Sequence, residues 1–174
     1  MKALLIGGSK SGKSMLAQQL TSRLGGKRYY LATMAPTDSE DLTRIRRHRQ
    51  ERAGWGFETV EQPACLQDCF HRIDPEGTVL LDSVTSLLAQ EMFGETIDRS
   101  AAGRTVEALL ALGDHAKNVV YVSDMIYSDG FIYDETTEWY REDLAKVCRT
   151  LAARCDCVAE VTAGIPRWVK GKGL

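Results

Sequence analysis

Gly7-Gly8-Ser9-Lys10-Ser11-Gly12-Lys13-Ser14 satisfies G-x-x-x-x-G-K-[ST] and follows a short apolar run directly, the strand, loop, helix setting that a P-loop requires. Its glycines let the backbone curl so that successive N–H groups converge on phosphate oxygens, and the helix that follows adds its positive end. Lys13 is expected to reach the β- and γ-phosphates and the Ser14 hydroxyl to ligate Mg²⁺. The bland reading of the same residues is a glycine-rich turn without a nucleotide. A P-loop also needs an acid to hold the hydrated metal, and Asp82 closes the run Val79-Leu80-Leu81 where such an acid would stand. The competing reading of Asp82 is a cap on the helix that follows. Asp124, at the end of a later apolar run, carries the same two readings: a metal or substrate role, or a cap.

The segment Arg44-Ile45-Arg46-Arg47-His48-Arg49-Gln50-Glu51-Arg52 sets five arginines around one histidine. Four-residue spacing puts Arg44, His48 and Arg52 on one helix face. Flanking guanidiniums disfavour a charged imidazole, so His48 is expected to be neutral and nucleophilic at pH 7, beside cations that neutralise a transferring phosphoryl or nucleotidyl group. The competing reading is a solvated basic helix with an incidental histidine. His71 and His115 lack such company and read as surface residues.

Positioning these groups falls to an alternation of short apolar runs and amphipathic stretches along the whole chain, the pattern of an α/β fold with a mainly parallel sheet and helices on both faces. Strands are expected at 3–6, 29–33, 57–61, 78–82, 119–123 and 157–162, the last closing the sheet. Helices are expected at 13–24, 38–52, 65–72, 83–93, 99–116 and 135–154, with Gly25-Gly26 ending the first and Thr37 or Asp38 capping the second. No repeat or low-complexity linker interrupts the 174 residues, so one P-loop domain over 1–174 is expected.

Composition bounds the function further. With 44% hydrophobic and 26% charged residues, the chain belongs with globular proteins and not with disordered ones. Its apolar runs are too short to span a membrane. A net charge of -2 supplies no global field for nucleic acid, so nucleic-acid binding is not expected. The five cysteines, Cys65, Cys69, Cys148, Cys155 and Cys157, lack paired C-x-x-C spacing. With no signal peptide ahead of the first strand, a reduced, cytoplasmic setting is expected. Cys155-x-Cys157 resembles half a metal site, but no histidine or second cysteine pair lies near it in sequence, and buried thiols are the expectation.

Together the P-loop, Tyr30-Leu31-Ala32-Thr33, Arg44-Ile45-x-x-His48-Arg49-x-x-Arg52, Leu80-Leu81-Asp82-x-x-Thr85 and Ala163-Gly164-Ile165-Pro166 resemble the bifunctional adenosylcobinamide kinase/adenosylcobinamide-phosphate guanylyltransferase family of cobalamin assembly, end to end. The resemblance implies a RecA-like P-loop NTPase fold, a homotrimer, and two reactions on a corrinoid. The aminopropanol hydroxyl of adenosylcobinamide is first phosphorylated from ATP or GTP. GTP then leaves GMP on the histidine that matches His48, and the corrinoid phosphate takes it to become adenosylcobinamide-GDP. A P–N bond suits such a relay, because imidazole both attacks phosphorus and leaves it readily. Lys13 and His48 are then the catalytic residues and Ser14 and Asp82 the Mg²⁺ ligands. Nucleotide contacts fall on Gly7, Gly8, Ser9, Lys10, Ser11, Gly12, Lys13, Ser14, Ala32, Thr33, Met34, Arg49, Gln50, Glu51, Arg52, Glu61 and Asp82.

The chain departs from the family pattern mainly in its second half. The usual Ser-Asn-Glu-Val-Gly becomes Ser123-Asp124-Met125-Ile126-Tyr127, and the loop through Tyr133, read as facing the corrinoid, is about one residue longer. The usual Asp-Cys-Leu-Thr becomes Asp82-Ser83-Val84-Thr85, which keeps the acid. Two other readings compete. One is a P-loop small-molecule kinase acting by direct transfer, with His48 and its arginines as a phosphate clamp. The other is a GTP-dependent switch module, against which stand the lack of an Asn-Lys-x-Asp signature and the position of Asp74-Pro75-Glu76-Gly77 before its strand instead of after it.

Overall fold

The computed structural model describes residues 1–36, 43, 46, 53–94 and 96–173. The helix expected over 38–52, with Arg44, His48, Arg49, Gln50, Glu51 and Arg52, lies outside the described residues, apart from Thr43 and Arg46, which are helical and exposed.

Seven strands form one sheet. They are β1 (Lys2–Gly7), β2 (Arg28–Ala32), β3 (Phe57–Glu61), β4 (Thr78–Asp82), β5 (Asn118–Asp124), β6 (Cys157–Thr162) and β7 (Ile165–Lys170). Their order across the sheet is β3-β2-β4-β5-β1-β6-β7, parallel except for the β6–β7 pair. Besides Thr43 and Arg46, the helices among the described residues are α1 (Lys13–Leu24), α2 (Val84–Met92), α3 (Ala101–His115) and α4 (Glu135–Arg154), with a 3-10 helix at Leu66–Arg72. The first helix and the last have the bounds expected of them, as do the strands at 57–61, 78–82 and 157–162.

Side chains alternate across a strand, and here both faces are covered, so the central strands are apolar without a break. In β4 and β5, Leu81, Val119 and Tyr121 enter a core with α2, α3 and α4, while Leu80, Val120 and Val122 enter a second core with Ala17 and Leu20 of α1. In β1, Leu4 serves the first core and Ala3 and Leu5 the second.

The sheet does not end at β6. Ala163 and Gly164 both have positive φ (50° and 78°), the backbone of a two-residue hairpin turn, and Thr162 pairs with Ile165 across it. The 165–170 segment therefore returns as an antiparallel edge strand. Pro166, which has no N–H to give, is tolerated there because it lies at the sheet margin.

Candidate functional site

The parallel strands all finish at one sheet edge, and the strand-borne candidates finish with them. Gly7 is in register with Asp124, Asp82 with Val122 and Ala32, and Ala32 with Glu61. Crevices outside the carboxyl ends of such strands are where open α/β sheets bind ligands.

The P-loop leaves this edge as a formed turn. Lys10 and Gly12 adopt positive φ (57° and 92°), the Ser11 amide donates to the Gly8 carbonyl (3.2 Å), and the Leu16 amide closes the first turn of α1 on Gly12 (3.1 Å). Gly8, Ser9 and Lys10 are exposed, which leaves the inside of the loop open to a phosphate chain. Its back is braced by the β6–β7 turn, whose Gly164 amide donates to the Ser11 carbonyl (2.7 Å). The approach is so close that a Cβ on Gly12 would meet the Gly164 Cα at 2.9 Å, and one on Gly7 would meet the Val161 carbonyl oxygen at 2.5 Å. Packing alone therefore requires glycine at 7 and 12.

Lys13 is buried, but its ammonium reaches the loop mouth, where it donates to the Gly8 carbonyl (2.8 Å) and to Asp124 Oδ1 (2.7 Å). Asp124 thus faces the P-loop lysine and caps no helix. The cap of α4 is Asp134, whose carboxylate accepts from the Thr137 amide. Asp82 likewise is not a cap. Ser83 caps α2 by accepting from the Ser86 amide, which leaves the Asp82 carboxylate at the sheet edge, where its Oδ2 accepts from Tyr30 Oη (2.8 Å). The strand carrying Asp82 is separated from the P-loop strand by β5, the spacing of a RecA-like sheet. Ser14 and Asp82 offer the hard oxygen donors that Mg²⁺ takes.

Other candidates differ in what the fold does with them. Thr33 is fully buried, and its hydroxyl donates to the Ser83 carbonyl (2.7 Å) and accepts from the Ser83 amide (2.8 Å), tying the end of β2 to the start of α2. Ala32 and Met34 flank it, half-buried. Glu61 ends β3 at the opposite margin of the sheet, four strands from Gly7, or about 19 Å at the usual strand spacing; it does not adjoin the phosphate loop. His71 is exposed as expected. His115 is not a surface residue: it is half-buried, its ring stacks on Phe70 (centroids 5.0 Å apart), and its Nε2 lies 3.0 Å from the Ile73 carbonyl oxygen. The apolar neighbour that captures it is 45 positions away in sequence. Cys155 and Cys157 are buried thiols.

Three contributors escape the sequence reading. Tyr30 orients Asp82. Thr85 Oγ1 accepts the Asp124 amide (2.8 Å), and Tyr140 Oη donates to the Thr85 carbonyl (2.8 Å). Thr85 stands three residues after Asp82 in a motif already singled out, a signal that was readable. Tyr140 lies 55 residues further on and had none.

The loop beyond Asp124 is built around Arg141. The Arg141 side chain is 9% exposed, and its guanidinium pairs with Asp129 (2.9 Å) and Glu138 and donates to the carbonyls of Ile126 (2.9 Å) and Phe131 (3.1 Å). Asp129 is held below the usual carboxylate range chiefly by the Tyr133 hydroxyl that donates to it. Phe131 and Ile132 project from this frame into solvent.

A P-loop on the first strand of a RecA-like sheet, its lysine engaged and an acid one strand beyond its neighbour, defines a P-loop nucleotide-binding protein. The family model for cobinamide kinase / cobinamide phosphate guanyltransferase matches residues 3–169, and the chain belongs to that enzyme family. It is 32% identical over 177 residues to the bifunctional adenosylcobalamin biosynthesis protein CobP of Pseudomonas aeruginosa, with 100% of both chains covered. It is 28% identical over 178 residues to the bifunctional adenosylcobalamin biosynthesis protein CobU of Escherichia coli, which covers 95% of this chain and 97% of that one. Among solved structures, the P4 protein from bacteriophage phi6 in complex with ADP superimposes with a TM-score of 0.44 at 14% identity, over 95% of this chain and 53% of that one. Among the described residues no helix is long and apolar enough to cross a membrane.

Proposed function

We propose that this enzyme phosphorylates the aminopropanol hydroxyl of adenosylcobinamide with ATP or GTP and then passes GMP from GTP to the resulting phosphate through a guanylyl-histidine on His48. The observation that carries the reading is the formed P-loop with the Lys13 ammonium at its mouth, on a chain that the family matches almost from end to end. In the kinase step the loop amides and Lys13 bind the triphosphate. Ser14 and Asp82 would hold Mg²⁺, which when bound offsets charge on the phosphates. Lys13 neutralises the phosphoryl group as it transfers. In the second step the His48 imidazole attacks the α-phosphorus of GTP, pyrophosphate leaves, and the corrinoid phosphate displaces imidazole. The enzyme works as a cytoplasmic homotrimer in this reading, to be checked by sedimentation against the 19.3 kDa chain mass.

The test is incubation of purified protein with α-³²P-GTP and Mg²⁺, followed by denaturation. Label that stays on the protein, survives base, is lost in acid and is absent from His48→Asn is the expected result. His48→Asn should retain at least part of the phosphorylation of cobinamide. Absence of label on protein that still binds GTP would demote the transferase half and favour a direct-transfer kinase or a binding protein.

A further inference from the structure

Asp124 stands at the mouth of the phosphate loop, paired with its lysine through one carboxylate oxygen. Its place is fixed from three sides. It lies in register with Gly7, its amide donates to Thr85 Oγ1, and its Oδ1 accepts from Lys13 at 2.7 Å. Among the described residues nothing donates to its Oδ2, and the side chain is 26% exposed, so the second oxygen is open to an incoming group.

An ammonium has three protons. Lys13 spends two on Gly8 and Asp124, and the third is available to a phosphate. Two hydrogen bonds sharing one nitrogen put the Asp124 carboxylate about 4.5–5 Å from that phosphate oxygen. A carboxylate there repels the phosphate instead of binding it, yet it is within reach of a hydroxyl that approaches phosphorus to about 3–3.5 Å. The register points the same way. The acid closes its strand directly opposite the first residue of the phosphate loop, Gly7.

We propose that Asp124 is the general base of the phosphoryl transfer. The acceptor hydroxyl gives its proton to Asp124 Oδ2 as its oxygen forms the new bond to the γ-phosphorus. The bond from that phosphorus to the β,γ-bridging oxygen breaks, and the nucleoside diphosphate leaves with the electron pair. The proposal rests on the kinase reading above and adds to it the residue that activates the acceptor.

Asp124→Asn keeps an oxygen for Lys13 and removes the base. With cobinamide and γ-³²P-GTP, kcat for phosphorylation should fall by at least about 100-fold, the usual worth of a positioned base. The Kd for GTP should stay within about threefold, which also reports a folded site. Asp124→Glu should recover part of the rate. A kcat for Asp124→Asn within about tenfold of wild type overturns the assignment. So does a loss that is restored by raising Mg²⁺ or GTP, which would make Asp124 a binding residue. Failure of the unsubstituted enzyme to phosphorylate cobinamide would overturn the functional reading itself, and this proposal with it.

Discussion

Lys13 is buried along its stem and committed at its tip, so its removal is felt by whatever occupies the P-loop more than by the fold. A hydrogen bond to a charged group contributes about 1.5–3 kcal/mol. Lys13→Ala should therefore weaken ATP and GTP binding by roughly 10- to 150-fold in calorimetric titration, and depress both phosphorylation and guanylylation. The far-UV circular dichroism spectrum should be unchanged. Retained affinity would mean that the loop amides alone hold the phosphates. The same residue shows why Asp124 is easy to misread from sequence. An acid at a strand end has two ordinary uses, cap and ligand, and only the 2.7 Å contact with Lys13 separates them.

Among the elements, the contact between the P-loop and the β6–β7 turn governs the shape of the cradle. Gly12 sits at φ 92°, and any Cβ there strikes Gly164 backbone at 2.9 Å. Gly164 sits at φ 78° with open space around its Cβ position. Both substitutions to Ala incur left-handed backbone strain of about 1–2 kcal/mol, but only Gly12→Ala must also push the turn off the loop. Gly164→Ala should lower Tm by a few degrees and leave nucleotide affinity nearly intact. Gly12→Ala should lower both, with affinity down by more than about tenfold, a loss of over 1.4 kcal/mol. Equal behaviour of the two variants in paired melts and titrations would argue that the turn does not shape the loop.

At the scale of the whole molecule, the core that the sheet shares with α2, α3 and α4 encloses groups that ionise only in base. Burial pushes the Cys155 thiol up to about 12 from an ordinary value of 9.0. The Tyr121, Tyr127 and Tyr140 hydroxyls are raised by burial as well. For each, the pKa in the folded state lies above the unfolded one, so its contribution to stability is complete below the unfolded value and is lost as pH rises through the folded one. Thermal melts should show Tm falling through the window between pH 9 and 12, with Cys155→Ala flattening the slope. A Tm independent of pH across that window would mean that these groups titrate freely in the folded state.

What the residue order determined by itself is local. Apolar runs of strand length, a glycine-rich loop before Lys13 and the helix signals around it suffice for β1, α1 and the buried central strands, because their periodicity and φ requirements are properties of a few consecutive residues. The family pattern likewise names candidate site residues before any geometry is known. The tertiary structure decided what depends on distance between segments. It made 165–170 an edge strand, since two positive-φ residues at 163 and 164 turn the chain back on β6. It took His115 into a half-buried stack on Phe70. It moved the cap of α2 from Asp82 to Ser83 and brought Tyr30 and Thr85 to the two acids. It also set Asp124 against Lys13 across 111 positions of sequence, because strand order and register, which no short run of residues encodes, bring chain-distant groups to the same edge of the sheet.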